Sequence, residues 1–127
     1  AEYGTGKRAG MLSSYVLACR DDQNLVEWGM VSTGVKEKEQ ASGITYTALT
    51  NLLKPLIISQ HGRSVKIKPK IVVEVMYEEI QTSPTYSSGF ALRFPRFSRL
   101  RIDEKEVKDA NTLEDIKRIF SMQKRKA

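Results

Sequence analysis

From Val65 the chain alternates in a way that only extended backbone accommodates. Lys66, Lys68 and Lys70 are separated by Ile67 and Pro69, and the β-branched run Ile71-Val72-Val73-Glu74-Val75-Met76-Tyr77 follows. Side chains of a strand point to opposite faces with period two, so one face here is basic and the other apolar. A β-branched run favours a pleated, buried surface over a helix. Val65 to Gln81 therefore reads as the strongest strand signal. Pro69 marks a break between its halves, because proline cannot donate to a ladder.

The other elements arrange themselves around this one. Met11 to Arg20 reads as a strand, Asp21-Asp22-Gln23-Asn24 as a polar turn, and Leu25 to Val31 as the returning strand of a hairpin. Trp28 on that strand reads as a core or half-buried packing residue. Ser32-Thr33-Gly34 ends the strand, and Val35 to Ser42 is a charged connector. Thr45 to Lys54 places Tyr46, Leu49, Leu52 and Leu53 on one helical face, and Pro55 ends that helix. Leu56-Ile57-Ile58 is a short apolar follow-on, and Ser59 to Ser64 is read as a loop. Thr82 to Gly89 is a second loop. Asp109 to Ala127 closes the chain: Thr112 is the expected N-cap with Asp115 completing a capping box, and Leu113, Ile116, Ile119 and Phe120 form the apolar stripe. The Lys124-Arg125-Lys126 end is read as a solvated tail.

One stretch carries chemistry. Gly89 to Lys105 sets Arg93, Arg96, Arg99 and Arg101 among Phe90, Phe94, Phe97 and Pro95. Guanidinium groups present a planar fork of donors suited to phosphate oxygens. Interleaved rings can pack on sugars or bases. From Arg99 the pattern alternates, with Arg99 and Arg101 on one face and Leu100 and Ile102 on the other. Edge strands are also charged merely to resist aggregation. Four arginines without an acid between Arg93 and Arg101 exceed that need, which favours an anion-binding surface.

Charge supports the same class of partner. The 127 residues carry 21 Lys and Arg against 15 Asp and Glu, a net charge of +6, and the isoelectric point is near 9.5. A basic balance favours polyanions. Cys19 is the single cysteine and His61 the single histidine, so neither an internal disulfide nor a cysteine-rich zinc site can form. Gly62 and Arg63 beside His61 read as a turn, which leaves a catalytic triad without support. The Tyr3-Gly4-Thr5-Gly6-Lys7-Arg8-Ala9-Gly10 segment combines glycines with two cations, but lacks the phosphate-loop spacing, with Arg8 where Ser or Thr belongs. It is equally well a flexible basic lead-in or a phosphate contact. No apolar run has the length of a membrane span. The non-methionine start suggests a piece of a longer protein.

About five strands, an internal helix and a closing helix make a mainly β domain. That layout fits a small Greek-key barrel of the OB type, a common platform for oligonucleotides, with an α+β sandwich as the alternative.

Several words of the chain resemble one family. Gly29-Met30-Val31-Ser32-Thr33-Gly34, Leu53-Lys54-Pro55-Leu56-Ile57, Val73-Glu74-Val75, Ile80-Gln81-Thr82-Ser83-Pro84-Thr85-Tyr86 and, most specifically, Ala91-Leu92-Arg93-Phe94-Pro95-Arg96-Phe97 are similar to the C-terminal OB-fold domain of ATP-dependent DNA ligases, above all the archaeal form. The similarity runs nearly end to end. It implies a lead-in after the family's motif V over 1–10, a barrel over 11–105 and a C-terminal helix over 109–127.

The resemblance further implies part of a phosphodiester-forming enzyme of replication, repair and recombination. It implies that ATP and Mg2+ serve the full enzyme, with neither bound by this piece alone. The nucleophilic lysine of the family lies in a K-x-D-G motif of a separate nucleotidyltransferase domain, and that motif is absent here. Lys66-Ile67-Lys68-Pro69-Lys70 is faintly similar to motif V but sits inside the barrel pattern, and is rejected as a nucleotide site. Phe94 is implied to pack on a sugar beside a nick, with Arg93 and Arg96 on backbone phosphates. Lys7, Arg8 and Arg99 complete the expected DNA-binding set. Arg101 and Asp103 match motif VI, which orients the ATP pyrophosphate. Glu104 stands where the family has lysine, so Lys105 is assigned that contact.

Implied partners are nicked duplex DNA and the nucleotidyltransferase domain, with a sliding clamp left open and no membrane. The implied location is cytoplasmic, or nuclear in a eukaryote. Two other readings compete: a free-standing OB module for single strands, and the OB domain of an mRNA capping guanylyltransferase.

Overall fold

The computed structural model describes residues 1–32, 35–36, 44–101 and 105–125. Its strands are β1 (Glu2–Tyr3), β2 (Leu12–Asp21), β3 (Asn24–Val31), β4 (Val35–Lys36), β5 (Ile44–Thr45), β6 (Ile57–His61), β7 (Ser64–Ile67), β8 (Val73–Met76), β9 (Glu79–Thr82), β10 (Phe90–Arg93) and β11 (Arg96–Leu100). Two α-helices, α1 (Tyr46–Leu53) and α2 (Leu113–Arg125), lie between β5 and β6 and at the C-terminal side. The chain is thus mainly β, with an OB-fold-like layout, as the sequence predicts.

β2 and β3 form the expected hairpin, from Tyr15 opposite Val31 to Asp21 opposite Asn24. They belong to an antiparallel sheet of order β3-β2-β1-β7-β6. β9 pairs with β10 and β8 with β11, both antiparallel, while β4 and β5 pair in parallel. β2 alternates as period two requires: Tyr15, Leu17 and Cys19 are buried while Val16 and Ala18 face out. The three buried residues share one core with Leu12, Val31, Tyr46, Leu49, Leu53, Val65, Ile80, Leu92, Phe97 and Ile116. Burial pushes the Cys19 thiol up to about 11, so this cysteine packs as a small hydrophobe.

The helices are held by side chains the sequence singles out, in the capping box and apolar stripe of α2, and by others it does not, Thr45, Thr50 and Gln123. Thr45 caps α1 by accepting from the Ala48 N–H at 3.0 Å. Thr50 reaches out of α1, donating to the Tyr46 carbonyl at 2.7 Å and accepting from the Leu12 N–H at 2.9 Å. The capping box of α2 forms as expected: Thr112 Oγ1 accepts from the Asp115 N–H and Asp115 Oδ2 from the Thr112 N–H. Ile116 is fully buried, and the Phe90 and Phe120 rings meet edge-on with centroids 5.2 Å apart. Gln123 supplies the unforeseen contact of α2. Its side chain accepts from the Ile80 N–H at 2.8 Å and donates to the Ile80 carbonyl at 3.0 Å, as a neighbouring strand would.

Two readings need correction. Ser59 to Ser64 is not a loop: β6 and β7 form a hairpin through it, with Ser59 opposite Lys66 and His61 opposite Ser64. The turn is confined to the residues around Gly62, whose φ of +59° suits glycine. Ser59 and Gln60 carry no strand signal of their own; the partner strand recruits them. Val65 to Gln81 is also not two halves but three strands, β7, β8 and β9, with a second break near Tyr77. Trp28 is half-buried against the core, as expected.

Candidate nucleic-acid interface

The β10–β11 hairpin turns over Phe94 and Pro95. Phe94 has a φ of +52° and remains 66% exposed. Left-handed backbone at a bulky residue costs about 1–3 kcal/mol, and such strain collects where a side chain must be presented. The hairpin thus holds a large ring out into water.

The arginines around it differ in their surroundings. Arg93 lies opposite Glu79 in the ladder; its Nη1 is 3.0 Å from Glu79 Oε1 and its Nε 3.7 Å from Glu78 Oε2. Its guanidinium carbon is 5.2 Å from the Phe94 ring centroid. Arg96 lies opposite Met76 and places Nη2 3.9 Å from the methionine sulfur. A register irregularity between Phe97 and Arg99 leaves Ser98 and Arg99 both exposed, with Phe97 buried and Leu100 half-buried. The bulge therefore keeps two core positions inward while adding an outward one. β11 ends at Leu100.

Beyond it, Arg101 Nη1 is 3.1 Å from Glu74 Oε1, whose other oxygen accepts from the Ser98 hydroxyl at 3.3 Å. The Lys105 N–H donates to the Arg101 carbonyl at 3.0 Å, which brings exposed Lys105 close to Arg101. Asp103 lies outside the described residues.

The lead-in segment folds back on its own chain. Arg8 places its guanidinium 4.5 Å over the ring of buried Tyr46. A Cβ on Gly4 would meet Arg8 Cβ at 2.6 Å and Ser13 Oγ at 2.8 Å, so that glycine serves close packing within the domain. Lys7 is exposed. Lys7 and Arg8 line a polar hollow of about 390 Å3 together with Arg63. Arg63 was missed by sequence reasoning because the hollow exists only once the Tyr3 N–H bonds the Arg63 carbonyl at 2.8 Å, joining β1 to the start of its neighbour β7, sixty residues on in the chain.

An exposed strained phenylalanine flanked by arginines on one hairpin, and Arg101 bonded through its backbone to Lys105 beyond it, are parts the family resemblance assigns. Comparison with known families matches residues 8–104 to the ATP dependent DNA ligase C terminal region. The chain belongs to that family. Among relatives of this ligase C-terminal region, the DNA ligase of Nanoarchaeum equitans is 54% identical over 127 residues, covering 98% of this chain and 22% of the relative. The DNA ligase of Archaeoglobus fulgidus is 47% identical over 96% of this chain and 21% of its own length. That of Thermococcus fumicolans is 41% identical over 98% and 22%. The chain spans about a fifth of the length of the curated relatives it matches. Alignment of nearly the whole chain to one part of a ligase disfavours a free-standing single-strand binder.

Proposed function

We propose that this ligase C-terminal region binds duplex DNA at a nick and, in a second orientation, serves enzyme adenylation. Residues 11–105 are the barrel region, 1–10 the lead-in, and 109–127 the C-terminal part that holds α2. The observation that carries the reading is Phe94, exposed at a positive φ between Arg93 and Arg96. Phe94 packs on a sugar beside the break, and Arg93, Arg96, Arg99, Lys7 and Arg8 take backbone phosphates. Backbone contact needs no base readout, which suits an enzyme that seals any sequence.

The ion pairs of Arg93 do not oppose this. Both partners are about half exposed, and such pairs are worth about 0–1 kcal/mol. A phosphate can therefore replace the carboxylates at small cost. Until then Glu78 and Glu79 hold the guanidinium beside the ring.

Arg101 and Lys105 fit a pyrophosphate, being two cations joined by a backbone hydrogen bond, and Asp103 belongs to the same motif. Glu74 restrains Arg101, whose side chain is 23% exposed, so presenting it requires exchange of that pair. ATP, with Mg2+, supplies the adenylyl group for the whole enzyme; the residues here orient its phosphates electrostatically. The nucleophilic lysine comes from the nucleotidyltransferase domain.

The test is a binding titration on nicked and intact duplexes. Phe94→Ala should lower the preference for the nicked duplex about tenfold, within the range of one stacking contact. Unchanged preference would remove Phe94 from the interface.

A further inference from the structure

The basic excess of the chain does not reside in the arginine-rich hairpin. Between Glu39 and Glu74 there is no Asp or Glu, yet Lys54, Arg63, Lys66, Lys68 and Lys70 lie there. Without these five, 16 cations face 15 acids. Nearly all of the +6 therefore comes from one segment, and four of its cations map onto the β6–β7 hairpin and the chain leaving it.

Arg63, Lys66, Lys68 and Lys70 are all exposed. Among the described residues none of the four pairs with an acid, in contrast to Arg93 and Arg101. The Lys68 N–H bonds the Leu56 carbonyl at 2.8 Å, which prolongs the ladder past Ile67. Lys66 and Lys68 thus stand two positions apart on extended chain, about 6.6 Å. At the other end of β7, Arg63 joins Lys7 and Arg8 around the 390 Å3 hollow, where Glu2 accepts from the Ser64 hydroxyl at 3.3 Å.

Edge protection does not explain this row. The edge strand on this side of the sheet is β6, and Ile57-Ile58-Ser59-Gln60-His61 holds neither Lys nor Arg. Of the four cations Lys66 lies within β7, where it faces Ser59 of β6, and Arg63, Lys68 and Lys70 flank that strand, so the charge is not on the edge strand itself.

Resting on the ligase reading above, we propose that the β6–β7 hairpin and the Lys68–Lys70 segment form a second phosphate-backbone contact that grips duplex DNA away from the nick. Lysines are strongly hydrated point charges, spaced here along a ribbon, which suits a diffuse row of phosphates. An acidic protein would instead call for a central aromatic or arginine anchor in a pocket. The exposed large hydrophobic of the hairpin is Ile58, a poor anchor of that kind.

The experiment measures anisotropy of labelled intact and nicked duplexes across salt, using the 127-residue chain and its Lys66→Gln/Lys68→Gln/Lys70→Gln variant. Three lost phosphate contacts should make the slope of log K against log salt shallower by about 2.7, so the variant loses about 40-fold less affinity between 50 and 200 mM salt. The loss at low salt should be the same on both duplexes, and the corresponding triple Lys→Arg variant should keep the original slope. An unchanged slope in a chain that still binds nicked DNA would overturn the second contact and leave the nick reading intact. Lysine-dependent binding of poly-glutamate with unchanged duplex affinity would reassign the ribbon to an acidic protein. A wild-type chain without affinity for either duplex would remove both readings.

Discussion

Single residues divide here into those that serve the fold and those that the fold presents. Phe94 belongs to the second kind: its backbone is strained and its ring is wet, a combination that packing alone does not reward. Asp115 belongs to the first. Its carboxylate accepts from the Thr112 backbone N–H, and that bond, with weaker help from hydroxyl, amide and Arg118 neighbours, holds its pKa below the ordinary value. A carboxylate whose folded pKa is depressed stabilises the native state above the unfolded value and stops doing so as pH falls through the folded one. The N-terminus of α2 should therefore loosen as pH drops below about 4. Thermal midpoints recorded from pH 6 down to pH 3 should fall less steeply for Asp115→Ala than for the parent chain; parallel curves would show that Asp115 adds nothing.

At the scale of elements, α2 docks through an apolar stripe that periodicity reveals and a polar clasp that it does not. Leu113, Ile116, Ile119 and Phe120 recur at helical spacing and do meet the core. Gln123 shows no signal, because an exposed glutamine in a helix is ordinary; its significance arises from the Ile80 backbone lying within reach. Gln123→Ala leaves both Ile80 groups without this partner and should cost about 1–3 kcal/mol. Urea unfolding should show a lower midpoint with the same slope, and a midpoint equal to the parent's would mean that water replaces the clasp. The β6–β7 hairpin was illegible for a similar reason. Ser59 and Gln60 have weak strand preference, and they are extended because β7 offers a ladder. The N-cap of α1, by contrast, was within one residue of expectation, since a cap is a local hydrogen bond between neighbours in sequence.

For the whole molecule, charge is segregated rather than spread. The arginine-rich hairpin is interleaved in space with Glu74, Glu78 and Glu79, while the lysine hairpin has no acidic neighbours in its own stretch of chain. Under the proposed reading this domain positions phosphates, and the nucleophile for adenylation comes from another domain. Incubated with labelled ATP, the chain should take up no covalent AMP; labelling would end the proposed division of labour. Joined to a nucleotidyltransferase domain, Arg101→Ala should slow adenylation while Phe94→Ala leaves it unchanged, and equal damage to that step by both would defeat the two-orientation scheme.

Local chemistry was enough to determine much of this protein. Alternation and β-branching declared the mainly β class, the Thr112–Asp115 capping pair set the start of α2, and the arginine–phenylalanine stretch pointed to the family. These signals act between residues close in the chain, where spacing and side-chain type are the whole of the physics. Tertiary structure alone decided which cations are spoken for. Arg93 and Arg101 look free in the sequence and are held by glutamates from other strands, Arg8 lies over Tyr46, and Arg63 joins Lys7 from a distant turn. Ion pairing depends on distance in space, and strand register, which brings Glu79 opposite Arg93, is a property of the folded sheet.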